Sequence, residues 1–208
     1  MSSPRVPYIT PEQYLEMEDA AFEKSEYIDG HIYAMSGAAS PHNQISSNLN
    51  LLLRTLLKGR DFRVWGPDQR VHVEASNAYF YPDLVVVCGE RKYSDSKTMN
   101  LLNPRSIFEI LSPLTERFDL GDKFLHYQNI ESLQEYVLVR QNQPIVRRYA
   151  KSEDKWVYSS ITGLDATTPV VLEDSEISLA EIYEDVEFPP QSVSENRPEY
   201  RVTPQPTH

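Results

Sequence analysis

Two apolar runs constrain this chain most, because each of them carries a carboxylate. Pro82-Asp83-Leu84-Val85-Val86-Val87-Cys88 has Asp83 at its start, and Ile107-Phe108-Glu109-Ile110-Leu111 has Glu109 at its centre. Continuous β-branched and apolar runs of this length are strands covered on both faces. An ionised carboxylate there loses hydration that only a cation, a metal or several hydrogen-bond donors can replace. The two acids lie 26 positions apart on separate strands, so the expectation is that they meet over one site. The plainer alternative leaves each one strand-terminal, with Asp83 in a turn after Pro82 and Glu109 paired to a base such as Arg105.

A chain of 208 residues has room for one real core, expected here as a single domain over 1–188. The last stretch, 189–208, has five prolines and no apolar periodicity, which predicts a flexible tail. No apolar run reaches the ~18 residues of a membrane span, and Met1-Ser2-Ser3-Pro4-Arg5 lacks the apolar core of a signal peptide. The one cysteine, Cys88, excludes an intrachain disulfide and a thiolate zinc cluster, and it is expected as a small buried hydrophobe. Together these features predict a cytoplasmic protein.

The net charge of −11 argues against strong non-specific phosphate binding, but it is unevenly spread. Residues 1–29 contribute −5 and residues 173–188 contribute −7, while 30–172 has 16 bases against 15 acids. Nucleic acid therefore remains a possible partner if a metal or a local basic strip offsets the phosphates.

Thr10-Pro11 with Gln13 signals a helix start with a capping box, and Asp29-Gly30 signals a hairpin. Ser40-Pro41 predicts a second helix with Ser40 as N-cap, running through Leu49 and Leu53 to Gly59. Alternation over 69–74 predicts a half-exposed strand, and 89–104 reads as a long loop. After Glu109, Thr115 is expected to cap a helix to about residue 129. Further strands are expected at 135–140, 145–149, 156–160 and 170–172, then a short helix at 179–183. Trp65 and Tyr79-Phe80-Tyr81 read as core aromatics rather than base-stacking groups. The pattern predicts an α/β fold with a mixed central β-sheet flanked by helices.

On the helix after Glu109, Asp119, Lys123 and Tyr127 fall four apart and share one face, which can lay an ammonium beside the two carboxylates. On spacing alone, a solvated face with an ordinary Asp119–Lys123 pair is the stronger reading. His42, just inside a helix N-terminus, is either a phosphate contact or base, or a surface residue.

Pro82-Asp83, Phe108-Glu109-Ile110-Leu111-Ser112-Pro113 and then Asp119, Lys123 and Tyr127 resemble the Uma-two endonuclease family of the PD-(D/E)XK superfamily. Glu26-Tyr27-Ile28-Asp29-Gly30 and Ser40-Pro41-His42 extend the resemblance, which runs from about Thr10 to Ile182. It implies a restriction-endonuclease-like core and metal-dependent hydrolysis of DNA phosphodiesters. Asp83, Glu109 and the Ile110 carbonyl would hold Mg²⁺ or Mn²⁺, hard ions that take oxygen ligands. The superfamily's lysine two residues after the acid is Leu111 here, and the resemblance moves that role to Lys123. Glu26 enters as a third catalytic carboxylate, with His42, Asp119 and Tyr127 as supporting groups. A homodimer is expected for cutting two strands. The alternatives are a non-catalytic binding descendant of the fold and a metal-dependent hydrolase of a small phosphoester.

Overall fold

A computed structural model describes residues 7–97, 99–170 and 172–188, so the expected tail at 189–208 lies outside the described residues. The capping box forms as the sequence predicts and starts α1 (Pro11–Ala20): Thr10 Oγ1 accepts from the Gln13 N–H at 3.3 Å, and Gln13 Oε1 accepts from the Thr10 N–H at 2.9 Å. Asp29 and Gly30, at φ 37° and 96°, make the hairpin turn between β1 (Ser25–Ile28) and β2 (His31–Ala34). A Cβ at Gly30 would lie 2.2 Å from Tyr8 Cδ2, so only glycine fits there. The second helix, α2 (Ser40–Leu56), has Ala39 rather than Ser40 as N-cap, and no side chain caps it. Pro41 still serves in the first turn, where a missing N–H costs nothing.

Beyond α2 come β3 (Phe62–Trp65), β4 (Arg70–Val73), β5 (Ala78–Phe80), β6 (Leu84–Cys88), β7 (Asn100–Leu101) and β8 (Ser106–Leu111). They are followed by α3 (Glu116–Leu120), α4 (Asp122–Tyr127), β9 (Glu135–Arg140), β10 (Ile145–Ser152) and β11 (Lys155–Thr162). The described chain closes with β12 (Thr167–Val170), β13 (Leu172–Ser178) and α5 (Leu179–Ile182).

The central sheet has the order β11-β10-β9-β8-β6-β3 and is mixed, with β8 and β9 parallel and the other neighbours antiparallel. Alternation along its strands divides the core. Leu84, Val86, Phe108 and Ile110 pack against Ile45, Leu49 and Leu53 of α2 and Leu179 and Ile182 of α5. Val85, Val87, Ile107 and Leu111 face Phe124 and Tyr127 of α4 on the other side. The fold is therefore the predicted α/β architecture, a mixed sheet between helices.

A second sheet, β2-β1-β5-β4-β7, packs its Val71, Val73 and Phe80 onto the α4 side of that core. It changes two sequence expectations. The strand at 70–73 is not half exposed, since Val71 and Val73 are buried and so is Arg70. Arg70 is accommodated because its Nε donates to Asn100 Oδ1 and its Nη1 to the Tyr81 hydroxyl. Residues 89–104 are not all loop, because β7 adds to β4 in parallel. Of the strand expected at 170–172, residue 171 lies outside the described residues, and Val170 and Leu172 belong to β12 and β13 of a separate two-stranded sheet.

Two further expectations fail locally. The helix expected over 115–129 breaks at Gly121 into α3 and α4, and the Thr115 side chain makes no capping bond. Cys88 is exposed, because β6 ends there and the chain turns out at Gly89.

Candidate active site

The antiparallel register between β6 and β8 pairs Leu84 with Phe108 and Val85 with Ile107. One further step sets Asp83 opposite Glu109, on the face that carries Val85 and Ile107, where cross-strand Cβ atoms lie about 5 Å apart. The same extension sets Pro82 opposite Ile110. Proline has no N–H, so the ladder offers no donor to the Ile110 carbonyl, and Asp83 Oδ2 instead accepts from the Ile110 N–H at 2.7 Å. Pro82-Asp83 thus turns a strand end into an oxygen-rich edge. The other carboxylate oxygen, Oδ1, is 2.9 Å from His42 Nε2, brought in by the first turn of α2.

Glu109 is buried in the middle of β8, and its Oε1 accepts from Lys123 Nζ at 2.9 Å and from the Tyr127 hydroxyl at 3.2 Å. The break at Gly121 does not spoil the stripe on this side, since Lys123 and Tyr127 both lie on α4. Lys123, 4 % exposed, also meets Glu26 Oε1 at 2.9 Å and Asp119 Oδ1 at 3.6 Å. The plain solvated-face reading of Asp119 and Lys123 is therefore wrong: both are buried. Glu26 comes from β1 of the second sheet, and its Oε1 also accepts from the Tyr81 N–H at 3.3 Å. The Tyr136 hydroxyl donates to the Asp119 carbonyl and fixes the end of α3. Every residue singled out from the sequence, Glu26, His42, Asp83, Glu109, Ile110, Asp119, Lys123 and Tyr127, falls in this one neighbourhood.

The electrostatics are lopsided. Three carboxylates (Glu26, Glu109 and Asp119) share one lysine, and a fourth, Asp83, lies beside them with His42 as its partner, so acids outnumber the buried ammonium. Burial pushes the Glu109 carboxyl well above its ordinary range; Lys123 opposes that shift, and Asp119, Asp83 and Glu26 reinforce it. Asp119 is raised by burial in the same way. Burial on its own would lower Lys123, but Glu109, Glu26 and Asp119 outweigh it and hold the ammonium charged.

Among the described residues no three His, Cys, Asp or Glu side chains form a ready metal cage. The ammonium of Lys123 already stands between Glu26 and Glu109. The donor set nevertheless fits a hard divalent cation: all-oxygen, strongly negative, and bounded by a strand carbonyl that the ladder gives no donor. Sequence reasoning missed the link of His42 to Asp83 because it is a tertiary contact. The meaning of Pro82 was open to the proline rule but depended on the register.

A sequence profile of the Uma2 family, described as "Putative restriction endonuclease", matches residues 11–180. Two proteins of Synechocystis sp. are similar along most of the chain. Uncharacterized protein sll1609 is 37% identical over 76% of this chain and 90% of its own length. Uncharacterized protein slr1290 is 36% identical over 73% and 80%. A crystal structure from Anabaena variabilis, described as "a putative nuclease belonging to DUF820", shares the fold. Its TM-score is 0.69 at 21% identity, covering 84% of this chain and 97% of that one.

Proposed function

This chain belongs to the Uma2 family, and from that premise we propose that it is a divalent-metal-dependent endonuclease hydrolysing DNA phosphodiester bonds. The observation that carries the reading is the charge imbalance: one buried ammonium among four carboxylates at the end of a covered sheet. A scaffold gains nothing from such a cluster, whereas a divalent cation bound among the carboxylates would offset their charge.

Asp83, Glu109 and the Ile110 carbonyl would hold Mg²⁺ or Mn²⁺, with Glu26 as a further carboxylate. A cation held there would supply Lewis acidity toward a phosphoryl oxygen and a bound water. His42 and the Ile110 N–H fix the two oxygens of Asp83, so its orientation is set before substrate arrives. The Tyr127 hydroxyl holds Glu109, and Glu26 and Asp119 hold the Lys123 side chain. Lys123 stays protonated and donates to the charge that develops on the phosphoryl oxygens, or orients the attacking water.

DNA is the proposed partner, with a cytoplasmic location, in keeping with one exposed free thiol at Cys88. No helix among the described residues is long and apolar enough to cross a membrane. Cleavage of both strands calls for two centres, so a C₂ dimer is proposed. The long edge strand β11, with Val157 and Tyr158 half exposed, is the surface that fits this role.

The test is incubation with plasmid, single-stranded and branched DNA under Mg²⁺ and Mn²⁺, beside Asp83→Asn. Metal-dependent nicking or cutting lost in the variant is the expected result. Cleavage that survives Asp83→Asn would reject this site. Bound metal with no DNA cleavage, but turnover of a small phosphodiester, would move the reading to small phosphoesters.

A further inference from the structure

The parallel register of β8 and β9 pairs Glu109 with Leu138 and Leu111 with Arg140. Leu111 and Leu138 belong to the core on the α4 side, so Arg140 emerges on the same face as Glu109, two residue pairs further along. A strand spacing of ~4.8 Å and a two-residue rise of ~6.6 Å put their Cα atoms roughly 8 Å apart. Arg140 is not a surface arginine: its side chain is 24% exposed, and its Nε is buried without a hydrogen-bond partner. Its Nη2 pairs with Glu116 Oε1, and its Nη1 donates to Gln143 Oε1 at 3.2 Å. Arg147, on the neighbouring β10, reaches the same Glu116 oxygen at 3.8 Å and is equally sheltered.

Two half-buried guanidinium groups thus converge on one oxygen of one carboxylate, beside an acidic centre. That is the geometry of an anion site, in which planar forks receive oxygens from one side. The protein's own anion fills it, and a guanidinium N–H is left unused. Glu116 is the first residue of α3, directly after the turn that leaves β8, so its side chain can swing clear without disturbing the sheet. A carboxylate gives two guanidinium groups one negative charge, as does a phosphodiester, with the same pair of accepting oxygens.

We propose that Arg140 and Arg147 form a phosphate subsite for the nucleic-acid strand beside the bond to be cleaved, and that Glu116 occupies it until substrate displaces it. This rests on the nuclease reading and extends it. The subsite supplies positive charge that the acidic centre cannot, which resolves how a chain of net −11 holds a polyanion next to four carboxylates.

The experiment measures anisotropy of a labelled DNA duplex and single strand, titrated with full-length protein across a salt series, in the presence of Ca²⁺. Parent, Arg140→Gln, Arg147→Gln and Glu116→Gln are compared, with plasmid cleavage by each under Mg²⁺ and circular dichroism as the control for folding. The two arginine variants are expected to bind about tenfold more weakly. Each should lower the salt slope by ~0.9 on the duplex. Glu116→Gln is expected to bind more tightly than parent, a result that a purely structural ion pair would not give. Unchanged slopes in folded arginine variants, or weaker binding by Glu116→Gln, would overturn the subsite. If the parent cleaves plasmid in those cases, the nuclease reading stands alone. If the parent neither binds nor cleaves DNA, both readings fall together.

Discussion

Replacing Lys123 with methionine keeps the length of the side chain and removes its charge, leaving Glu26, Glu109 and Asp119 buried without their shared cation. Glu109 is already raised by burial, and Lys123 opposes that shift, so losing the lysine raises it further. Removing one partner of a buried ion pair costs about 3–5 kcal/mol. At this chain length that corresponds to a fall in Tm of roughly 6–20 °C. Denaturant melts of parent and Lys123→Met in EDTA, from pH 5 to 8, measure it. The sign is fixed by linkage: a carboxyl whose folded pKa is raised loses stability as pH climbs above its unfolded value. The deficit should therefore grow, by up to ~1.4 kcal/mol per pH unit, once pH passes the parent's own raised folded value. Saturating Mg²⁺ should recover ~2.7 kcal/mol at 100 times its Kd, since a cation again faces the carboxylates. A deficit under ~1 kcal/mol at pH 8, or one independent of pH, would refute the reasoning and show that the lysine does not neutralise this cluster.

His72 is stacked on Tyr79 with its Nδ1 buried and unpartnered, and burial lowers its pKa below the ordinary 6.5; Glu74 partly offsets the shift. Its contribution to stability is complete above pH 6.5 and is lost as pH falls through the folded value, so His72→Gln should flatten the decline of Tm between pH 7.5 and 5 relative to parent. Arg70→Met should cost about 2–4 kcal/mol in urea melts, because Asn100 and Tyr81 lose a buried charged donor; a cost within ~0.5 kcal/mol would show that β4 does not need the arginine to hold β7. Sedimentation at micromolar concentration should give a species of about 48 kDa, twice the 24.0 kDa chain, and a 24.0 kDa species alone would reject the dimer.

Covered strands, capping and tight turns are written in residues close together, and they were legible. The apolar runs around Asp83 and Glu109 predicted a sheet buried on both faces, and β6 and β8 are neighbouring inner strands of it. Thr10 with Gln13, and Asp29 with Gly30, act within four residues, so their local chemistry decides the outcome. The Ser40 cap and the helix over 115–129 failed because each depended on a boundary. A cap is interchangeable with its neighbour once proline sets the first turn, and a glycine at 121 can be tolerated or can break a helix. The exposure of β4 was misread for a different reason: the period of a strand reports a polar side, and Arg70 was polar but buried against Asn100 and Tyr81, both distant in sequence.

The active-site residues divide in the same way. The sequence by itself determined that Asp83, just before one covered strand, and Glu109, inside another, need compensation, because a carboxylate among β-branched residues has a solvation cost that does not depend on topology. It also determined that Lys123 and Tyr127 would share a helical face. Only the tertiary structure decided what meets them. Glu26 arrives from a second sheet and His42 from the first turn of α2, while Arg140 is set beside Glu109 by the parallel register of β8 and β9. Those contacts span from 31 to 97 positions of sequence. Local propensity carries no information over that range, since strand register and the packing of one sheet on another are fixed by the whole core at once.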